Sequence, residues 1–257
     1  MLKPKKKFGQ NFLINEEICK RIISLEKIKD ENVLEIGPGN FALTDLILKK
    51  KPKNFFSVEI DNDIFEINKN NQISKYLLIE DALKFNEIKK FNNEKFSIIS
   101  NLPFNISSEL LIKWCYIQNN HQCINSMTLM FQKELAERIV AKTNTKKYGR
   151  ISILTNAFFD VRKEIFVEKI NFKPVPKVDA IVLKFTSLRK NKVKRENLIK
   201  LENITSFFFN ERRKKNLKKI KKLFNEKKIK ENQLQKYFDQ RAENIDLETY
   251  YKMTEIN

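Results

Sequence analysis

The chain has 257 residues with a formal net charge of +19 and only four glycines, a length that suits one medium domain plus a smaller one and a core that needs neither disulfide nor metal. No run reaches the roughly 18 apolar residues of a membrane span, so a soluble protein is expected, and an excess of Lys and Arg this large points to a polyanion partner, nucleic acid first. AT-rich coding, which favours Lys, Asn, Ile and Phe, is a competing source of the same bias.

In chain order, Lys5 to Leu13 reads as a basic arm, and the Phe8-Gly9-Gln10-Asn11 stretch behind its lysines is not the apolar core of a signal peptide. Asn15-Glu16-Glu17 starts a helix running to about Leu25, with Ile18, Ile22 and Ile23 on its core face. Asn32–Ile36 reads as the first strand and opens onto Gly37-Pro38-Gly39-Asn40-Phe41-Ala42, a G-x-G-x-x-G/A turn of the kind found at nucleotide sites, with Thr44 to Lys50 as the following helix. Two glycines in one turn let the backbone pass close to a ligand. The second strand, Asn54 to Asp61, carries Glu59 near its end, placed to take both hydroxyls of a ribose. The third, Tyr76–Ile79, delivers Asp81, placed to accept the adenine amine of the same adenosine cofactor. Each acid taken singly also reads as an ordinary solvated strand end.

Phe96–Ser100 is a buried strand that delivers Asn101-Leu102-Pro103-Phe104-Asn105-Ile106-Ser107 at its carboxyl end, where open α/β sheets bind ligands. The Asn101 amide oxygen and the Leu102 carbonyl can accept hydrogens from a planar exocyclic amine. Pro103 fixes the backbone between them, and Phe104 can stack on the ring that bears the amine. Asn, Pro and Ser are also common turn residues, and the stretch alone reads equally as a plain turn.

A helix from Ser107 through Trp114 leads into a polar loop, Gln118–Gln122. Cys115, His121 and Cys123 lie close in sequence but lack a fourth ligand at a recognised spacing, so no metal is expected. The three cysteines of the chain, the other being Cys19, form no CxxC pair and fit a reduced, cytoplasmic compartment. Met127–Phe131 is a fifth strand, followed by a helix from Gln132 through Val140 and a flexible stretch over 143–150. A helical or mixed segment Ile151–Phe158 and strand signals at Asp160-Val161 and Ile165–Val167 come next. Phe172–Asp179 is a proline-stiffened loop that feeds a last strand, Ala180 to Phe185, and its ring can face Phe104.

These motifs together resemble the S-adenosylmethionine-dependent rRNA adenine N6-dimethyltransferases, and within them the KsgA-like branch of the bacterial small subunit. The resemblance runs from Lys6-Lys7-Phe8-Gly9-Gln10-Asn11-Phe12-Leu13 through Glu35-Ile36-Gly37-Pro38-Gly39, Glu59, Asp81-Ala82, Asn101–Ser107 and the Phe172-x-Pro-x-Pro-x-Val-Asp loop to Arg241-Ala242-Glu243-Asn244-Ile245. It implies an α/β fold, a Rossmann-like class I methyltransferase sheet with a small C-terminal α-helical domain, divided at 1–186 and 187–257. It places S-adenosylmethionine on Asn11, Leu13, Gly37, Glu59, Asp81 and Asn101, and the target base on Asn101, Leu102, Pro103, Phe104 and Phe172. Two departures are Phe104 where many relatives have Tyr and Ala180 where the motif often continues with Ser. Stacking survives the first, since it needs only the ring.

The implied reaction is dimethylation of N6 on two adjacent adenosines near the 3′ end of small-subunit rRNA, on immature subunits, by a monomer. The lysine-rich remainder from about Ser187 reads as helices that dock RNA. Phe207-Phe208-Phe209 forms a core face beside the basic run Arg212-Arg213-Lys214-Lys215, and Leu217, Ile220, Leu223 and Phe224 continue the helical period. Competing readings are a large-subunit enzyme conferring macrolide resistance, a nicotinamide-dependent oxidoreductase, and a non-catalytic RNA-binding assembly factor.

Overall fold

The computed structural model describes Lys5 and residues 8–256; residues 1–4, Lys6 and Lys7 of the basic arm, and residue 257 lie outside the described residues. The chain runs through β1 (Phe12–Leu13), α1 (Glu16–Ser24), β2 (Asn32–Ile36), α2 (Thr44–Lys49), β3 (Asn54–Glu59), α3 (Asn62–Asn68), β4 (Leu77–Ile79), α4 (Glu87–Lys90), β5 (Phe96–Asn101) and α5 (Ser107–His121). It continues with β6 (Ile124–Gln132), α6 (Lys133–Ile139), α7 (Arg150–Asn156), β7 (Phe159–Val167), β8 (Phe172–Lys173) and β9 (Ala180–Ser187), then α8 (Leu198–Asn210), α9 (Leu217–Leu223), α10 (Glu226–Glu231) and α11 (Leu247–Met253).

Among the described residues, the strands form a seven-stranded sheet in the order β4-β3-β2-β5-β6-β9-β7, and β1 pairs with β8 apart from it. Strands β2 to β6 pair in parallel and β9 runs antiparallel to β6. Because β2 lies between β3 and β5, strand order reverses beside it, and the crevice at the carboxyl ends of β2 and β5 is the switch point at which such sheets take ligands. β2 is buried along its whole length and β5 as far as Ser100, which explains why β5 reads as a mostly apolar run rather than an alternating one.

Local chemistry sets the helix ends. The Asn15 side chain accepts from the Ile18 N–H at 3.1 Å and caps α1, with Glu16 and Glu17 in the first turn. One reading is corrected here. The polar stretch Gln118–His121 is the last turn of α5 and not a loop: Gln118 and Asn119 are buried, the Gln118 Oε1 accepts from the Ile124 N–H at 3.1 Å, and Gln122 ends the helix with φ 51°. The glycine turn leads into α2 at Thr44, where the helix was expected, and Phe41 takes φ 64° on the way.

The chain divides into two compact units, one formed by the chain through Ala136 with Val161–Ser187, the other by Glu137–Asp160 with the chain from Leu188 on. Glu137–Asp160, within the span 1–186 expected for the first domain, packs with the C-terminal helices in the second unit. The reason is specific: α7 packs on α8 and α11, the Tyr251 hydroxyl donates to the Ile153 carbonyl at 3.0 Å, and the Asn144 N–H donates to the Glu243 carbonyl at 2.9 Å. In α9 the helical spacing holds, yet Leu217 and Leu223 stand at the surface and Ile220 points inward.

Beside Ile220, Lys219 is buried, and its Nζ donates to the carbonyls of Phe208 at 2.7 Å and Glu211 at 2.8 Å, closing the C-terminal end of α8. Lys219→Met leaves those carbonyls without their donor and is expected to lower stability by about 1–3 kcal/mol. Urea unfolding checks this, and an unchanged midpoint would remove the capping role.

Candidate active site

Within the first unit, the carboxyl ends of β2, β3 and β5, the turn after β4, and the arm residues Phe8–Leu13 enclose one cavity of about 300 Å³. All six residues expected to hold the cofactor, Asn11, Leu13, Gly37, Glu59, Asp81 and Asn101, line it, as do Leu102 and Pro103. Phe104 and Phe172 stand outside that lining.

The glycine turn is built for close approach. Gly37 has φ 66° and donates its N–H to the Val58 carbonyl at 2.8 Å; a Cβ there would lie 3.1 Å from Pro103 Cγ. At Gly39, with φ 55°, a Cβ would lie 2.6 Å from the Phe12 ring of the arm. The turn therefore touches both the arm and the Asn101 stretch. Glu59 is buried, and its Oε1 accepts from the N–H groups of Ile60 and Asp61, both at 2.9 Å. Burial raises its carboxyl above the usual range, and the backbone N–H groups oppose that.

Asp81 accepts from the Leu83 N–H at 2.9 Å. Its loop is held from below by a residue that sequence reading missed: Lys113 Nζ donates to the carbonyls of Ala82 at 2.8 Å and Phe85 at 2.6 Å and pairs with buried Glu87 at 2.9 Å. Glu87 is held in turn by the Trp114 Nε1 at 3.0 Å. Lys113→Met frees this loop and is expected to weaken binding of an adenosine cofactor about tenfold while the sheet stays folded. Calorimetric titration with S-adenosylmethionine measures it, and an unchanged affinity would mean that Asp81 holds its place without Lys113.

Asn101 closes the far end. Its Nδ2 donates to the Asn11 carbonyl at 2.9 Å, which orients the amide, since a carbonyl can only accept. The Asn101 Oδ1 is thereby turned away, buried and without a protein partner, an acceptor held ready for a donor such as an amine. The half-buried Phe104 ring meets Phe172 edge-on, with centroids 6.3 Å apart and planes at 66°. Phe172, expected to stack on the base, is 1% exposed in the core with Leu13 and Val167. In this arrangement it sets the angle of Phe104 and offers no open face of its own.

A second group missed in the sequence sits at the arm. Lys5 Nζ lies 2.6 Å from Asp61 Oδ1 and 2.6 Å from Asp63 Oδ2, and Gln10 Nε2 donates to Asp61 Oδ2 at 3.0 Å. Burial raises the Asp61 carboxyl, but the hydrogen bonds from Lys5, Gln10 and the Asp63 N–H together hold it below the usual range. The signal available was the position of Asp61 directly before a helix, where it also caps α3.

In the second unit, the basic run divides. Arg212, expected to face RNA, is partly exposed and paired within its own unit: its Nε donates to Glu243 at 2.7 Å and its guanidinium also meets the Lys146 carbonyl. Glu243 belongs to the Arg241–Ile245 motif, whose Ala242 and Ile245 are fully buried, so that motif clasps its own unit together. Arg213, Lys214 and Lys215 are exposed, the last two in surface pairs with Glu211 at 2.5 Å and Asp239 at 3.0 Å, pairs weak enough to exchange for phosphate. Cys115 and Cys123 are buried, and among the described residues no group of three or more His, Cys, Asp or Glu is placed to hold a metal ion.

The chain is 38% identical over 253 residues to ribosomal RNA small subunit methyltransferase A of Pelagibacter ubique, covering 98% of this chain and 96% of that one. It is 39% identical over 257 residues to the protein of the same name from Mycoplasmopsis pulmonis, covering 98% of each. The crystal structure of a dimethyladenosine transferase from Plasmodium falciparum superposes with a TM-score of 0.73 at 26% identity, over 94% of this chain and 95% of that one. The profile of the family described as ribosomal RNA adenine dimethylase matches residues 1–257, and the chain belongs to that family.

Proposed function

We propose that the protein transfers methyl groups from S-adenosylmethionine to N6 of two adjacent adenosines in a loop near the 3′ end of small-subunit rRNA, on immature subunits. The buried, partnerless Asn101 Oδ1 at the end of the cavity carries this reading. The names of the Pelagibacter and Mycoplasmopsis relatives support the small-subunit branch.

The cavity fits the donor: Gly37 and Gly39, with positive φ and with Pro103 and Phe12 packed where a Cβ would lie, keep the turn's backbone at the cavity wall, Glu59 suits a ribose, Asp81 an adenine amine, and Asn11 and Leu13 close over from the arm. When bound, S-adenosylmethionine supplies an electrophilic sulfonium methyl. The residues act on the acceptor. An adenine N6 lone pair is delocalised into its ring and is a poor nucleophile; Asn101 Oδ1 and the Leu102 carbonyl, each accepting one N6 hydrogen, favour a pyramidal nitrogen whose lone pair faces the cavity. Pro103 keeps those two acceptors in register, and Phe104 stacks on the base with Phe172 behind it. No strong base is required, because the nitrogen gives up its proton readily once alkylated. The base must be unpaired or flipped out to reach this position. Arg213, Lys214 and Lys215 hold phosphates without reading sequence. The reading includes a single chain acting in the cytoplasm; no helix among the described residues is long and apolar enough to cross a membrane.

The test is methyl transfer from labelled S-adenosylmethionine to immature small subunits, with the modified positions mapped by mass spectrometry. Dimethyladenosine at two neighbouring positions is the expected result. Absence of incorporation by protein that binds both donor and subunits would overturn the reading.

A further inference from the structure

We infer that Asp61, with Lys5 and Gln10, is a latch that orients the Asn101 amide through the arm, so that closure over the donor and readout of the target amine are one event. The inference rests on the reading of the preceding section and names positioning residues for it.

The arm has one fixed end. β1 pairs antiparallel with β8, Leu13 opposite Phe172, and the Ile14 N–H donates to the Asn171 carbonyl at 2.9 Å. Asn11 lies just outside that pairing, and its carbonyl is the group that fixes the Asn101 amide at 2.9 Å. Without that carbonyl, the terminal torsion of an Asn side chain is broad and two-fold. The amide then turns over easily and presents its NH2 to the incoming N6 amine, donor against donor. The orientation of the catalytic oxygen therefore depends on where the arm backbone stands.

Among the described residues, the other end is held by side-chain contacts to Asp61 and Asp63. Gln10, adjacent to Asn11, donates to Asp61 Oδ2 at 3.0 Å and accepts the Lys5 N–H at 2.7 Å, while Lys5 Nζ bridges Asp61 and Asp63, both at 2.6 Å. Asp61 is itself fixed to the donor side of the cavity, since its N–H is one of the two that hold Glu59 Oε1. The ribose-facing acid, the latch and the catalytic amide are thus linked in sequence: Glu59, Asp61 and Gln10 by hydrogen bonds, Gln10 to Asn11 through the backbone, and Asn11 to Asn101 by a hydrogen bond. Two charge-assisted contacts to a buried carboxylate are strong enough to bias the arm closed and weak enough to open for exchange of the donor.

The test uses the full chain with Lys5→Ala and Gln10→Ala combined, and Lys5→Arg as the conservative variant. Three readouts are taken: dissociation of S-adenosylmethionine, chymotrypsin cleavage at Phe8 and Phe12, and kcat at saturating donor together with the Kd for immature subunits. The double variant is expected to release the donor about tenfold faster, to lose the donor-induced protection of the arm, and to show kcat lowered about tenfold with subunit Kd unchanged; Lys5→Arg restores all three. Wild-type kcat at saturating donor in the double variant would overturn the coupling to Asn101, and wild-type release and protection would overturn the latch itself. A wild-type protein that binds donor and protects its arm but methylates nothing would overturn the proposed function alone, and the release and cleavage measurements would still judge the latch.

Discussion

Asn101→Ala is expected to lower kcat for methyl transfer by about 10²–10³-fold, with the affinity for immature subunits nearly unchanged, the scale on which loss of one preorganised polar contact to a reacting group acts in a dry site. In the proposed reaction the side chain has two jobs on different atoms: Nδ2 donates to the Asn11 carbonyl, and Oδ1, buried without a protein partner, accepts from the substrate amine. Ala removes both. Asn101→Asp separates them, because a carboxylate still offers an acceptor but has no hydrogen for Asn11 and sets oxygen against oxygen at that contact. Asp is therefore expected to rescue nothing over Ala. Single-turnover methylation with tritiated donor measures all three proteins. An Asp variant within a few-fold of wild type would show that acceptor chemistry alone suffices and that the bond to Asn11 is incidental.

What could be read in the sequence followed from sheet geometry. Parallel strands buried on both faces are rich in apolar residues, as β5 is, and their carboxyl ends line the crevice of such sheets, so position alone marked Glu59, Asp81 and Asn101 as candidates. The cofactor residues expected from the family motif came together around one cavity. The rest depended on partners far apart in the chain, which no local pattern encodes. Asp61 looks like a helix cap until Lys5 and Gln10 arrive from more than 50 residues away, and Lys113 looks like one more surface lysine until the Asp81 loop settles on it. Charge was the least reliable guide. Arg212 and Lys219 belong to a segment whose composition advertises a solvated basic face, yet both are spent on carbonyls and a carboxylate inside their own unit. Phe172 carried a stacking expectation by motif and landed in the core, where its edge meets Phe104.

Glu35 supplies the second large effect, in stability rather than rate. It lies on the central strand with 2% exposure, accepting from Thr44 Oγ1 at 2.6 Å and Ser57 Oγ at 3.3 Å. Burial pushes its carboxyl up to about 8 despite those two donors, with Asp45 and Glu59 adding to the rise. An unfolded chain titrates this group near its ordinary value of 4.5. The folded state therefore keeps a proton that the unfolded state has already lost, and stability declines as pH rises from 4.5 towards 8, then levels off. Above that range the penalty is on the order of 3–5 kcal/mol, at about 1.4 kcal/mol for each unit of pKa separation. Glu35→Gln keeps the shape and the hydrogen-bonding capacity without a titrating proton, so it is expected to match wild type near pH 5 and to exceed its stability at pH 9. Urea unfolding at pH 5, 7 and 9 reads the difference. Parallel curves for the two proteins across that range would mean that Glu35 is ionised in the folded state and that Thr44 and Ser57 suffice to hold the charge.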